Sequence, residues 1–216
     1  DGEAVILVDG KPDYHALRRA AATKRSDAIS LVAFDLLHLN GHDLRRMPCE
    51  DRRHLLSDLI GLEPGTISFS QGIVSSGRDF YQAVDKLGLE GMVSKRADSR
   101  YCSGRSTAWL KIKCYDEAML QVLGVVRKPG HATQAILADQ ERRYVGKAAV
   151  TLNNQMRERL WERVKAKAGP MPSGLPKDVQ KNKADWLQPG LIGRVRFLKG
   201  EKTLRHATLR DVEELE

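Results

Sequence analysis

Long apolar runs are missing from these 216 residues. No stretch of about 18 apolar residues exists, so no helix is expected to span a membrane, and no basic-then-apolar leader with a cleavage site opens the chain. A soluble protein is expected. Cysteine is scarce: Cys49, Cys102 and Cys114 are odd in number and far apart. That fits neither a disulfide framework nor the paired spacing of a zinc site, and predicts plain thiols in a reducing cytoplasm. The histidines, His15, His38, His42, His54, His131 and His206, form no close pair with an adjacent acid at ligand spacing, which predicts surface or capping roles. Repeats and low-complexity tracts are absent. A leading methionine is absent too: Asp1-Gly2-Glu3 runs straight into apolar Ala4 to Val8, so the chain reads as a fragment opening at the lip of a strand.

What is present is positive charge, unevenly spread. The net charge is +8; residues 1–116 hold 17 Lys and Arg against 16 Asp and Glu, whereas residues 117–216 hold 19 against 12. Two domains divided there are expected, 1–116 and 117–216. A polyanion is the natural partner of the basic half, since lysine or arginine near a phosphate releases condensed counterions. A solvated face with surplus lysine would look the same in composition.

The first half alternates short strands with helices. Ala4–Val8, Ser30–Leu37, Thr66–Ile73, Gly91–Arg96 and Trp109–Lys113 read as strands. Tyr14–Ala22, Glu50–Ile60 and Asp79–Leu87 read as helices, the last two stopping at Gly61 and Gly88. Leu55, Leu56, Leu59 and Ile60 form an apolar stripe at helical spacing, expected to be core. The second half reads as strands at Met119–Val126, Gln134–Ala138, Tyr144–Val150, Leu191–Leu198 and Leu204–Leu209. One helix, about 154–168, interrupts them, with Met156, Leu160, Trp161 and Val164 on one face. Five strands with an inserted helix fit a small Greek-key barrel of the OB type, although a barrel with no nucleic-acid role would read alike. The Pro-rich stretch from Pro170 to Lys183 reads as a mobile basic loop.

Four segments of the first half stand out together. They are Asp1-Gly2-Glu3; Phe34-Asp35-Leu36-Leu37 with Asn40-Gly41; Glu90-Gly91-Met92-Val93-Ser94-Lys95-Arg96; and Tyr101-Cys102-Ser103-Gly104-Arg105-Ser106 followed by Trp109-Leu110-Lys111-Ile112-Lys113. Each alone has an ordinary reading: a Lys-x-Lys on a strand edge serves solubility, a phenylalanine is core, a Glu-Gly is a turn. In this order and spacing they resemble the nucleotidyltransferase superfamily of ATP-dependent DNA ligases. Further on, Tyr144-Val145-Gly146-Lys147, Trp186-Leu187-Gln188-Pro189 and Val195-Arg196-Phe197 with Leu204-Arg205-His206 resemble the OB domain of bacterial LigD-type ligases.

The resemblance implies an α+β chain: part of a nucleotidyltransferase (ATP-grasp-like) domain of antiparallel sheets with helices, then a five-stranded OB-fold barrel with an inserted helix. It implies nick or double-strand-break sealing through enzyme-AMP and DNA-adenylate intermediates, using ATP and Mg2+ or Mn2+. Negative charge develops on phosphate oxygens at each step, and Lys111 and Lys113, two apart on a strand, present both ammonium groups on one side. Phe34 would give adenine a flat face with Val93 below, Glu3 would fix the ribose or metal shell, and Glu90 would hold the divalent cation. Lys177, Lys181, Lys183, Arg194, Arg196 and Lys199 are the expected DNA contacts. With few aromatics in the basic half, duplex backbone is a better target than splayed bases. Nicked or broken duplex DNA, the Ku end-binding protein and end-processing enzymes are the implied partners, in a bacterial cytoplasm at the nucleoid.

Two departures accompany the resemblance. The family's nucleophile lies in a Lys-x-Asp-Gly segment upstream of Asp-Gly-Glu; here the nearest sequence is Lys11-Pro12-Asp13-Tyr14, downstream and lacking the glycine. Where the family closes its OB domain with a basic Arg-x-Asp-Lys-like motif, this chain has Val212-Glu213-Glu214-Leu215. Self-adenylation of this polypeptide is therefore not expected. The readings left open are a ligase or a piece of one, a non-catalytic DNA-binding module derived from a ligase, and, fitting less well, an RNA ligase or mRNA-capping nucleotidyltransferase.

Overall fold

Asp9 and Gly10 both adopt positive φ, 52° and 75°, and fold the start of the chain into a tight hairpin of Leu7–Val8 against Lys11–Pro12. The single strand expected over Ala4–Val8 is therefore two: β1 (Gly2–Val5) precedes the hairpin. The computed structural model describes residues 1–23, 27–61, 65–200 and 203–215, which divide into two units. The first comprises Asp1–Leu87 and Gly91–Ile112, the second Gly88–Glu90 and Lys113–Glu216.

In the first unit, α1 (Tyr14–Ala22) starts where the Asp13 carboxylate accepts from Ala16 N at 2.7 Å. β2 (Ser30–Ala33) pairs antiparallel with β1 and parallel with β3 (Ile67–Phe69). Between β2 and β3 lies α2 (Cys49–Ile60), which stops at Gly61 with φ 77°. The strands expected to run on to Leu37 and Ile73 stop early. Past Ala33 the N–H groups of Phe34 and Asp35 both turn to the Asp1 carbonyl, and Ser70 N closes β3 onto Ala33 O. The leucine stripe of α2 holds in part: the helix buries Leu56 with Cys49 and Arg52, while Leu59 is 59% exposed, because an arginine takes a share of the inward face. α3 (Gly77–Lys86) follows, and Gly88, with φ 69°, turns the chain beyond it. β4 (Gly91–Lys95) and β5 (Trp109–Lys113) make a two-stranded sheet.

The second unit is a closed barrel. β6 (Tyr115–Val126), β7 (Gln134–Ala138), β8 (Tyr144–Val150), β10 (Leu191–Leu198) and β11 (Thr208–Glu214) form a ring in the order β6-β7-β8-β11-β10 and back to β6. All pairings are antiparallel except β8 with β11. α4 (Asn154–Ala166), capped by Asn153 Oδ1 accepting from Met156 N, is inserted after β8. The barrel interior holds Val122, Val125, Leu137, Ala148, Val195, Leu209 and Val212, with Leu160 of α4 packed among them. A short sixth strand, β9 (Ala184–Trp186), pairs with Gly124–Val126.

Two expectations fail here. Pro170–Lys183 is not a free loop: it carries α5 (Lys177–Gln180), whose Val179, 1% exposed, packs with Leu175 on Ile136 and Ala138, outside the barrel core. The last strand is Thr208–Glu214, not Leu204–Leu209, because Leu209 and Val212 both face the interior across an irregularity opposite Arg194 and Val195. Among the described residues no helix is long and apolar enough to cross a membrane. All three cysteines are free thiols, with Cys49 and Cys114 buried and Cys102 exposed.

Candidate functional site

Phe34 is held through both its backbone and its ring. Its N–H donates to Asp1 O at 3.0 Å, and its carbonyl accepts from two cations, Arg53 Nη1 at 2.9 Å and Lys95 Nζ at 3.0 Å. The ring meets Trp109 edge to face, centroids 6.1 Å apart, and Trp109 meets Tyr101 in the same manner at 5.9 Å. Lys95 Nζ lies 3.8 Å from the Trp109 ring centre and 4.5 Å from that of Phe34, a double cation–π contact. The pairing of β4 with β5 arranges this, since Arg96 N donates to Ala108 O and brings Lys95 alongside Trp109. Burial lowers the Lys95 pKa from 10.5 to about 8, and the positive charge of Arg53 adds to the shift.

Beneath this cluster the remaining quoted segments are tied together. The Asp35 carboxylate takes two hydrogen bonds from Arg52, both at 2.8 Å, and the pair is fully buried. Arg52 also donates to Met47 O and Ser99 O, and its guanidinium lies 5.9 Å from the Tyr101 ring. Tyr101 Oη donates to the Asp1 carboxylate at 3.0 Å. Residues from Asp1, Phe34-Asp35, Lys95 and Tyr101-Trp109 thus share one connected network. Arg52, Arg53 and Lys95 carried no role in the sequence reading. Lys95 stands in a quoted segment with no role attached, and the two arginines lie on a helix read only for its leucine stripe.

The other expected residues of this unit are less confined. Glu3 is exposed and stands opposite Val32, two residues before Phe34. Val93 is 45% exposed and, two residues before Lys95, shares its strand face. Lys111 is exposed, and Lys113 follows it two places along β5, so alternation turns both the same way.

In the second unit, Glu90 accepts Cys114 N through its carbonyl, and its carboxylate faces Arg205 Nη1 at 3.4 Å. Among the described residues no three His, Cys, Asp or Glu side chains gather as a metal site. Arg194 and Arg196 project from the outer face of β10 while Val195 is wholly buried and Phe197 packs on the core. Arg194 is paired with Asp211 at 3.1 Å, and the Arg196 guanidinium lies 4.0 Å from the centre of the Tyr115 ring. Lys199 N donates to Cys114 O. Lys177, Lys181 and Lys183 are exposed on and after α5.

The profile of the ATP dependent DNA ligase domain family matches residues 1–113. "Multifunctional non-homologous end joining protein LigD" of Pseudomonas aeruginosa is 33% identical over 213 residues, covering 91% of this chain and 25% of that protein. The protein of the same description from Mycolicibacterium smegmatis is 28% identical over 209 residues, covering 91% and 27%. This chain therefore spans about a quarter of the length of these relatives. A solved structure described as "DNA binding with a minimal scaffold: Structure-function analysis of Lig E DNA ligases" shares the fold with a TM-score of 0.56 at 18% identity, covering 89% of this chain and 67% of that one.

Proposed function

We propose, for a chain that belongs to the ATP-dependent DNA ligase family, that it carries the adenine-holding and duplex-gripping parts of an enzyme that seals nicked or broken DNA. The observation that carries this reading is Phe34, its ring in contact with Trp109 and Lys95 and its carbonyl bonded by Lys95 and Arg53, inside the stretch that matches the family. Contacts to Trp109 and Lys95 at the ring and two hydrogen bonds at the carbonyl restrain Phe34, and rigidity there lowers the ordering cost of binding a purine.

In this reading Glu3 binds the ribose, and Val93 closes the other side of the base. Lys111 and Lys113 neutralise the phosphate on which charge develops. Mg2+ or Mn2+ binds through one or two carboxylates plus phosphate oxygens rather than in an all-protein cage, so the lone half-exposed carboxylate of Glu90 fits such an ion and would hold it, in exchange for Arg205. The bound ion would offset negative charge on the phosphate. The closed barrel with its inserted helix is read as the OB-type domain that rides on duplex DNA, through Arg194, Arg196 and Lys199 and through the lysines of the α5 segment. Placement at the bacterial nucleoid, and work with Ku and end-processing enzymes, accord with relatives named for non-homologous end joining.

A duplex with a pre-adenylated nick tests the reading with this chain as it stands. The 3′-hydroxyl attacks the 5′-phosphate, AMP leaves, and the hydroxyl proton passes to solvent, so no new enzyme adduct is required. A joined strand that depends on Mg2+ and on Lys111 is expected. No joining under conditions where the nicked duplex is bound would overturn the sealing role.

A further inference from the structure

Lys95 is a cation held among rings and carbonyls. Its ammonium lies 3.8 Å from the Trp109 ring centre, 4.5 Å from the Phe34 ring centre and 3.0 Å from the Phe34 carbonyl oxygen. Arg53, a second cation, donates to the same carbonyl at 2.9 Å, which puts two positive groups on one acceptor. Placing like charges together while desolvating one of them is costly, and an ordinary core would use an apolar side chain in that place. A lysine kept there ties its strand to the backbone and the ring of one particular residue.

We infer that Lys95 is a positioning residue for purine binding: wedged against Trp109 and Phe34, it sets the orientation of the Phe34 ring and thereby the affinity for the base, not for the phosphates. The inference rests on the reading of Phe34 as the adenine platform. Three observations converge on it. The contact joins β4 to both the ring and the carbonyl of Phe34, so the residue is held at two points. Trp109 is itself braced by Tyr101, so the far side of the wedge does not yield. Arg53 continues past Phe34 to Ser70 O and the Phe69 ring, which anchors the same carbonyl from the opposite element. The Lys95 ammonium gives one of its donors to a carbonyl and is flanked by two rings, unlike the exposed Lys111.

The wedge also gives a spectroscopic handle. The charged and titratable groups around the Lys95 ammonium are Arg53, Arg52 and Cys49 of α2 and Asp35 beyond β2. A charge 3.8 Å from an indole face shifts its emission, and burial places the loss of that charge at about pH 8.

The test measures binding of ATP and of inorganic tripolyphosphate to the 216-residue chain and to its Lys95→Met, Lys95→Arg and Phe34→Leu variants. Lys95→Met is expected to weaken ATP roughly tenfold, the scale of a single partly desolvated cation–π contact. Tripolyphosphate affinity should be unchanged, and Lys95→Arg should recover most of the loss. In a Trp161→Phe, Trp186→Phe background the Trp109 emission should titrate near pH 8, and that transition should vanish in Lys95→Met. Equal losses for ATP and tripolyphosphate would make Lys95 a phosphate ligand and overturn the inference, as would unchanged ATP binding in Lys95→Met with a folded spectrum. If Phe34→Leu binds ATP as the parent does, it is the platform reading that fails, whatever Lys95 does.

Discussion

Asp35 and Arg52 form a bidentate, fully buried ion pair, with Nε to Oδ1 and Nη2 to Oδ2 both at 2.8 Å. Arg52 adds Met47 O and Ser99 O to its partners, so one guanidinium ties α2 to the residue that follows Phe34 and to the loop before Tyr101. Leaving either charge alone in that interior costs about 3–5 kcal/mol, whereas an apolar pair of similar volume is often tolerated. Arg52→Ala and Asp35→Ala should each lower the urea midpoint steeply, and Asp35→Leu with Arg52→Met should lower it less than either. A double variant as damaged as the sum of the singles would show that the two residues act independently.

No Lys-x-Asp-Gly occurs in these 216 residues, and Glu213 and Glu214 stand where the resemblance implies a basic motif. The polypeptide should take up no covalent label from radioactive ATP and Mg2+ on a denaturing gel. A stable, acid-labile and base-stable adduct would contradict this.

Lys111→Ala and Lys113→Ala should each weaken nucleotide binding by roughly 1.5–3 kcal/mol, the scale of a charge-assisted contact to phosphate. Unlike Lys95→Met, these variants should lose tripolyphosphate along with ATP. Parent-like affinity in both would make the pair ordinary surface charge.

Duplex binding should be insensitive to sequence and should weaken with salt at a log–log slope of about −0.9 for each phosphate neutralised. Arg194 and Arg196 project outward from a strand whose Val195 is wholly buried, so changing both to alanine should flatten that slope without unfolding the barrel. Since Asp211 shares Arg194, Asp211→Asn should raise affinity at low salt. Salt-independent binding would refute the electrostatic grip.

The Lys95 ammonium also has a signature in stability. Its pKa falls from 10.5 to about 8 on folding, so between those values the unfolded chain binds a proton that the folded chain has released. Stability then rises with pH through that window, the penalty of burying the charge being fully present below pH 8. The difference in unfolding free energy between parent and Lys95→Met should therefore move in favour of the parent from pH 8 to 10. A flat difference would mean that the amine titrates normally.

Sequence reading found what rests on local rules. Gly61 and Gly88 both take positive φ where helices are expected to stop, and the expected inserted helix follows β8. It missed what depends on distant partners. The strand from Ser30 ends at Ala33 because Asp1, some 30 places earlier, takes the next two N–H groups, and no local propensity records that. Arg52 is buried because Asp35, 17 residues earlier in the chain, pairs with it. The stretch around Leu175 and Val179 looked mobile from its prolines, yet those two side chains cover the outward face of Ile136. In the candidate site, Phe34, Lys111 and Glu90 came from the resemblance, as residue types that base and phosphate chemistry need. Lys95 stands in one of the four quoted segments without a role and Arg53 in none, because both act on a backbone carbonyl.

The central claim is that Phe34 is a base platform in a chain built to hold ATP. Equilibrium titration of ATP against the parent and Phe34→Ala, with CTP as the control nucleotide, tests it most directly. The parent should bind ATP more tightly than CTP, and Phe34→Ala should lose that preference, falling by roughly tenfold or more, as expected when a base loses a stacked ring worth about 1–3 kcal/mol. Equal affinity for the two nucleotides in the parent, or an undiminished preference for ATP in Phe34→Ala, would contradict it.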